Sequence, residues 1–209
     1  LCNAKNIVIR CVVIILGVII TAFGCACFLV AELGSDPVTV FVQGLGRTIG
    51  VSPGMATNIL NGSAFLLLLV FNRHLIHIGT AIYTLFLGFF VNSSVAFLHN
   101  FSMDLHQLWV NVVILIAGTV SIGVGLGIYQ AADLGIGPLD AINQTIVEKT
   151  GLAYQWERII FDFLMVVVGG WLGGTVFVGT LVGAIFVGPI MVTTIKGMKR
   201  SLNFIVANN

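Results

Sequence analysis

The sequence predicts an all-α membrane protein: six transmembrane helices in two inverted three-helix repeats, each with a short re-entrant or interfacial helix. Three observations carry that expectation. Hydrophobic residues make up 58% of the 209 positions and charged ones 8%, with a mean hydropathy of +1.09; a soluble domain is about a quarter charged. Apolar runs near the roughly 20 residues that cross a bilayer recur along the chain. One segment also returns at a fixed offset. A soluble enzyme, a disordered tail and a coiled coil are excluded by so little polar surface. The net charge of +1 excludes the broad basic face that nucleic acid requires.

The six expected spans are Ile7–Ala31, Met55–Phe71, Gly79–Leu98, Leu108–Ala131, Ala153–Leu172 and Thr175–Ile195. The first follows Lys5 and Arg10 but is too long for the apolar region of a signal peptide, so it is read as a retained helix. With the N-terminus inside, Lys5, Arg10, Arg73, Lys149, Arg158, Lys196, Lys199 and Arg200 fall on the cytoplasmic side, leaving Arg47 outside. That bias predicts cytoplasmic N and C termini.

The repeat is the strongest internal signal. Ala31-Glu-Leu-Gly-Ser-Asp-Pro37 reappears as Ala132-Asp-Leu-Gly-Ile-Gly-Pro138, and the same offset pairs Gln43 with Gln144 and Gly50 with Gly151. Gly17 and Gly24 match Gly118 and Gly125; after a one-residue shift Gly79-Thr80 matches Gly179-Thr180, and Gly88 matches Gly188. The units are residues 1–104 and 105–209 of one membrane domain. Three crossings per unit would turn the second copy upside down, an arrangement that in transporters puts the site near the midplane where the halves meet.

Each repeat contains a Gly-x-x-Pro segment, running from Gly34 and Pro37 to Gly50 and from Gly135 and Pro138 to Gly151. The Gly ends one helix and the Pro suits the first turn of the next. Roughly 20 Å of helix is too short to cross. It either dips in, presenting its N-terminus to a cavity, or lies flat as a connector, with Asp36 an N-cap and Asp140 a first-turn acid. The sign of a solute stays open. Helix N-termini favour anions, whereas Asp36 and Asp140 offset those ends and favour cations or protons.

Ionisable side chains inside spans are functional candidates. Asp162 is the clearest, and at the repeat offset it matches Asn61. Arg158 lies four positions before Asp162, on the same helix face; a structural ion pair and a cavity lining are both open. Glu157 and Arg158 are expected to be solvated or interfacial. Glu32 and Asp133 precede the Gly turns and are read as hydrogen-bonding backbone N–H groups there. Asn92, Ser93 and Ser94 are read as interhelical glue. His74 and His77 fall on the opposite side from His99 and His106, so no four-ligand site is expected. Cys2, Cys11, Cys25 and Cys27 form no Cys-x-x-Cys pattern.

The two turns Leu33-Gly34-Ser-Asp-Pro37 and Leu134-Gly135-Ile-Gly-Pro138-Leu-Asp140, in a small six-span chain, resemble the bacterial YczE/YitT-like membrane protein family. That resemblance implies a multi-pass protein of the bacterial cytoplasmic membrane and supplies no substrate.

The function expected is that of a small-solute transporter or channel with a central pathway at the repeat interface. Its candidate substrate-binding residues are Gly34, Ser35, Asp36, Pro37, Asn61, Gly135, Gly137, Pro138, Asp140 and Asp162. The alternative is a membrane scaffold or accessory subunit that binds a partner protein or lipid without transport. No catalytic set converges, so an enzyme is not expected, nor is a metal or cofactor. The partners expected are the bilayer, a small polar or charged solute, and a second copy or partner subunit; nucleic acid is not.

Overall fold

The computed structural model describes residues 4–100 and 107–207, so Cys2, His106 and the expected division at 104/105 lie outside the described residues. Among them the structure is all-helical. The helices are α1 (Ala4–Ala31), α2 (Pro37–Ile49), α3 (Pro53–Phe71), α4 (Ile78–Asn100), α5 (Leu108–Ala131), α6 (Pro138–Thr150), α7 (Tyr154–Trp171) and α8 (Val178–Ala207), with a 3₁₀ turn at Arg73–Leu75.

Five of these, α1, α3, α4, α5 and α8, are long and apolar enough to cross a membrane. Their outer faces carry large apolar side chains such as Leu66, Leu85, Val113 and Phe186, which water does not tolerate in such number. α7, the expected fifth span, is 18 residues long and carries Glu157, Arg158 and Asp162, whereas none of the other five contains an acidic residue.

Local chemistry sets the short helices. Asp36 caps α2 by accepting from the Thr39 N–H at 3.3 Å, Pro37 opens it, and Gly50 closes it in the left-handed region at φ 69°. Pro138 opens α6 and Gly151 closes it at φ 72°. Both have 13 residues. The last helix corrects two expected boundaries. It starts at Val178 rather than Thr175, because the Thr175 N–H is held by the Gln43 side chain at 2.6 Å. It runs past Ile195 to Ala207, and in that extension Lys199 pairs with Asp133 at 2.9 Å. Arg10 donates to the Ala132 carbonyl at 2.6 Å, so the start of α1 and the ends of α5 and α8 meet at one end of the molecule.

The core is the packing of α1 on α5, with α4 against α1 and α8 against α5. Glycines make the close approach. A Cβ on Gly17 would sit 2.8 Å from the Gly125 carbonyl oxygen, and one on Gly24 would sit 2.8 Å from that of Gly118. Rising numbers on α1 meet falling numbers on α5, so the two run antiparallel. Under the repeat offset these contacts exchange with one another. The same holds at the turns: Gly79 N–H donates to Leu134 O at 2.9 Å, and Gly179 N–H to Leu33 O at 2.8 Å. Gly125→Val is expected to force α1 and α5 apart at a cost of about 1–3 kcal/mol. The check is a lower melting temperature and a smaller monodisperse fraction in detergent; a variant as stable as the parent would contradict this packing.

Candidate functional site

A cavity of about 290 Å³, at the small end of ligand sites, is lined by residues of α1 to α8. The first turns of both short helices reach it, through Pro37, Val38 and Thr39 of α2 and Leu139 and Asp140 of α6. Opposite walls come from Asn61 on α3, Tyr83 on α4, and Arg158 and Asp162 on α7. Most of the remaining wall is apolar, including Leu87, Val91, Ile122, Leu126, Phe161 and Val187, with Thr21, Thr57 and Tyr154 among it.

Six of the ten residues expected from the sequence lie on this wall: Asp36, Pro37, Asn61, Gly137, Asp140 and Asp162. Gly34, Ser35, Gly135 and Pro138 do not. Gly34, at φ 91°, packs on Phe177 and Thr180 at the start of α8; its counterpart Gly135, at φ 121°, packs on Thr80 and His77 at the start of α4. Ser35 and Pro138 are buried within the turns. These four shape the approach of the short helices.

One charge network dominates. Arg158 Nη1 holds Asp140 Oδ1 at 2.8 Å while its Nε holds Asp162 Oδ2 at 3.1 Å. Gln130 Nε2 donates to the other Asp140 oxygen at 3.1 Å. A planar guanidinium suits such a two-sided bridge. Arg158 and Asp162 therefore do both things left open above: they form an ion pair and line the cavity. Three cavity oxygens are left buried without a donor: Asp36 Oδ1, Asn61 Oδ1 and Asp162 Oδ1. Asn61 is 2% exposed and spends its amide N–H on the Thr57 carbonyl at 3.0 Å.

Other expectations meet different outcomes. Glu157 is buried rather than solvated or interfacial, because its turn of α7 faces α6, where the Asn143 amide, oriented to donate, lies 3.3 Å from Oε1. Asp133 binds Lys199, and both Glu32 and Asp133 take up φ 52°. Asn92 accepts from the Gly54 N–H at 2.9 Å and donates to Ser52 Oγ at 3.0 Å, joining α4 to α3; Ser93 bonds its own helix at the Phe89 carbonyl. His74, His77 and His99 are exposed. Among the described residues no three His, Cys, Asp or Glu side chains gather as a metal site would need.

The helix pairs α3–α4 and α7–α8, which match at the sequence offset, differ in how they meet. α3 and α4 are in close contact: a Cβ on Gly54 or Gly88 would overlap the other's carbonyl oxygen, and Asn58 accepts from the Gly88 N–H at 3.0 Å. α7 and α8 barely touch, and Gly188, the match of Gly88, faces open space on the cavity wall. The sequence accounts for this. Gly54, Asn58 and Asn92 correspond to Gln155, Ile159 and Val192, which cannot make the same bonds. Pro189 adds a break in the α8 ladder beside the gap. Asn92→Ala is expected to loosen the closed seam by about 1–3 kcal/mol, since it leaves the buried Gly54 N–H without its acceptor. Thermal unfolding in detergent measures it, and no change would remove Asn92 as a clamp.

A family model described as a family of unknown function (DUF6198) matches residues 8–196. The chain belongs to that family. It is 28% identical over 205 residues to the uncharacterized membrane protein YczE of Bacillus subtilis, covering 97% of this chain and 93% of that one. It is 23% identical over 172 residues to an uncharacterized protein of Haemophilus influenzae, covering 82% and 77% of the two chains. No solved structure matches. The YczE-like resemblance read from the Leu-Gly-x-x-Pro turns is thereby shown, and with five apolar helices long enough to cross the chain is a multi-pass membrane protein.

Proposed function

We propose that the protein moves a small solute across the bacterial cytoplasmic membrane through the cavity between two inverted three-helix repeats. In this reading α7 crosses as the sixth span, its Arg158 and Asp162 turned to the cavity rather than to lipid. The exchanging contacts of α1 with α5, and of the two turns with α4 and α8, support a two-fold axis perpendicular to those helices. Such an axis lies in the membrane plane and inverts one half relative to the other. The lysine and arginine bias supports both termini on the cytoplasmic side.

The observation that carries the proposal is the charge network itself. Three aspartates and an arginine face a partly open cavity in a chain with only 17 charged residues. Ionisable groups so placed in a membrane protein mark solute or ion paths. The closed α3–α4 seam and the parted α7–α8 seam further support a solute entrance beside α7.

The test is uptake into proteoliposomes by a panel of cationic, anionic and neutral small solutes. Asp140→Asn and Asp162→Asn keep the side-chain shape and each remove one carboxylate from Arg158. Each is expected to change flux about tenfold or more, the effect of roughly 1.4 kcal/mol at a binding site. Unchanged flux in both variants, with normal folding, removes the pathway and favours a scaffold or accessory subunit.

A further inference from the structure

We infer that the cavity accepts an organic cation, a small amine with an apolar body. This deepens the transport reading and rests on it. The sign follows from what the cavity leaves unsatisfied. Its buried polar atoms without a partner are all acceptors, Asp36 Oδ1, Asn61 Oδ1 and Asp162 Oδ1, contributed by three different elements. A buried acceptor without a donor is costly, and a primary ammonium brings three donors and no acceptor. Water would satisfy these oxygens too, but water leaves the charge balance unchanged.

That balance is negative. Asp36, Asp140 and Asp162 face one Arg158 on the wall, a formal excess of two negative charges. The N-termini of α2 and α6 also point here, each equivalent to roughly half a positive charge. About one negative charge remains after both are counted. Arg158 is a poor anion site, because the two carboxylates of Asp140 and Asp162 held at its Nη1 and Nε outweigh its single positive charge. Asp36 makes no ion pair; it lies within electrostatic reach of both Asp162 and Arg158, the pair already bonded to each other.

The organic character follows from the walls. A bare metal ion needs several oxygens converging on one point, and no such cluster occurs among the described residues. The acceptors instead come from three different elements, and Leu87, Leu126, Phe161 and Val187 line the same cavity with the Tyr83 and Tyr154 rings. Aromatic faces attract a desolvated cation, and the aliphatic surface takes an apolar body. Asn61 and Asp162 occupy equivalent repeat positions, both line the cavity and both present a free oxygen, so each half offers an acceptor to an ammonium.

The experiment compares three molecules of one shape with the purified full chain in detergent, by isothermal titration: phenethylamine, phenylacetate and phenethyl alcohol. The amine is expected to bind at least tenfold more tightly than either other. Asp36→Asn keeps the α2 cap, because asparagine caps as well as aspartate, and is expected to weaken the amine tenfold or more. Asn61→Leu is expected to do the same, while Glu32→Gln, outside the cavity, leaves binding unchanged. Phenylacetate or the alcohol binding as tightly as the amine overturns the inference, as does no amine binding at all. In those cases uptake of an anionic or neutral solute that responds to Asp140→Asn leaves the transport reading standing. No uptake of any solute of the wider panel removes both.

Discussion

Gly188→Leu is expected to leave the protein folded and lower solute flux, whereas Gly88→Leu, at the matching position of the other half, is expected to prevent folding. The two glycines differ only in their surroundings. Gly88 meets the Gly54 carbonyl and the Asn58 amide across the α3–α4 seam, with no room for a Cβ, while nothing lies within 4 Å of a Cβ on Gly188. Leucine is also the better helix former by nearly 1 kcal/mol, which offsets the crowding of its Cβ against the Pro189 ring, so Gly188→Leu is expected to fold. Its side chain would occupy the cavity wall between Val187 and Met191, and a flux fall of about tenfold corresponds to roughly 1.4 kcal/mol of lost solute binding. At Gly88 the helices must separate, and overpacking of backbone against backbone exceeds the usual range of about 1–3 kcal/mol. Size-exclusion profiles and uptake of both variants decide it. Equal behaviour would mean that the two seams are alike in the membrane.

The second large effect is at Arg158. Arg158→Met removes the group that holds Asp140 and Asp162 together and leaves two carboxylates facing each other, with the Gln130 amide as the remaining donor. Breaking a buried pair in this way costs about 3–5 kcal/mol. Arg158 is about a third exposed, so solvent screening lowers the expected loss to roughly 2–3 kcal/mol. A lower melting temperature in detergent reports it. Adding Asp162→Asn to Arg158→Met is expected to recover part of the loss, because one of the stranded charges goes with it. A single variant as stable as the parent, or a double variant worse than the single, would contradict the network. Arg158→Lys is expected to recover little, since an ammonium cannot bridge both carboxylates as the planar fork does.

Much of the fold was legible because local signals punctuate it. Pro37 with Gly50, and Pro138 with Gly151, bracket the short helices in the sequence as in the structure. The span cores were legible as apolar runs, and their ends were not. Val178 and Ala207 bound α8 because Gln43 draws Thr175 away and Asp133 holds Lys199. Both partners are distant in sequence and give no local signal.

The site was legible where charge and repeat coincide, as at Asp162 with Asn61 and at Asp36 and Asp140. It was not legible where helix rotation decides. Tyr83 lines the cavity and Gln130 bonds Asp140 because of how α4 and α5 turn, and nothing in their neighbours marks them. Glu157 and Arg158 adjoin in sequence, yet one faces the Asn143 amide and the other the cavity. A helical step of about 100° separates them. The difference between the seams was present in Asn58 and Asn92 and in the lack of amides at Ile159 and Val192, but those residues gain meaning only once α3 is placed on α4.

The most direct measurement is the reactivity of single cysteines at Val38 and Leu139, which occupy equivalent positions in the two repeats and both line the cavity. The parent would lack its native cysteines and sit in bilayers with both faces open to a small, charged, membrane-impermeant thiosulfonate. The account predicts that Val38→Cys and Leu139→Cys both react, with a cationic reagent faster than an anionic one, while Leu85→Cys and Val113→Cys on the apolar exterior stay inert. Inert cysteines at 38 and 139 that react only after unfolding would mean a dry, filled junction and would contradict a solute path between the halves.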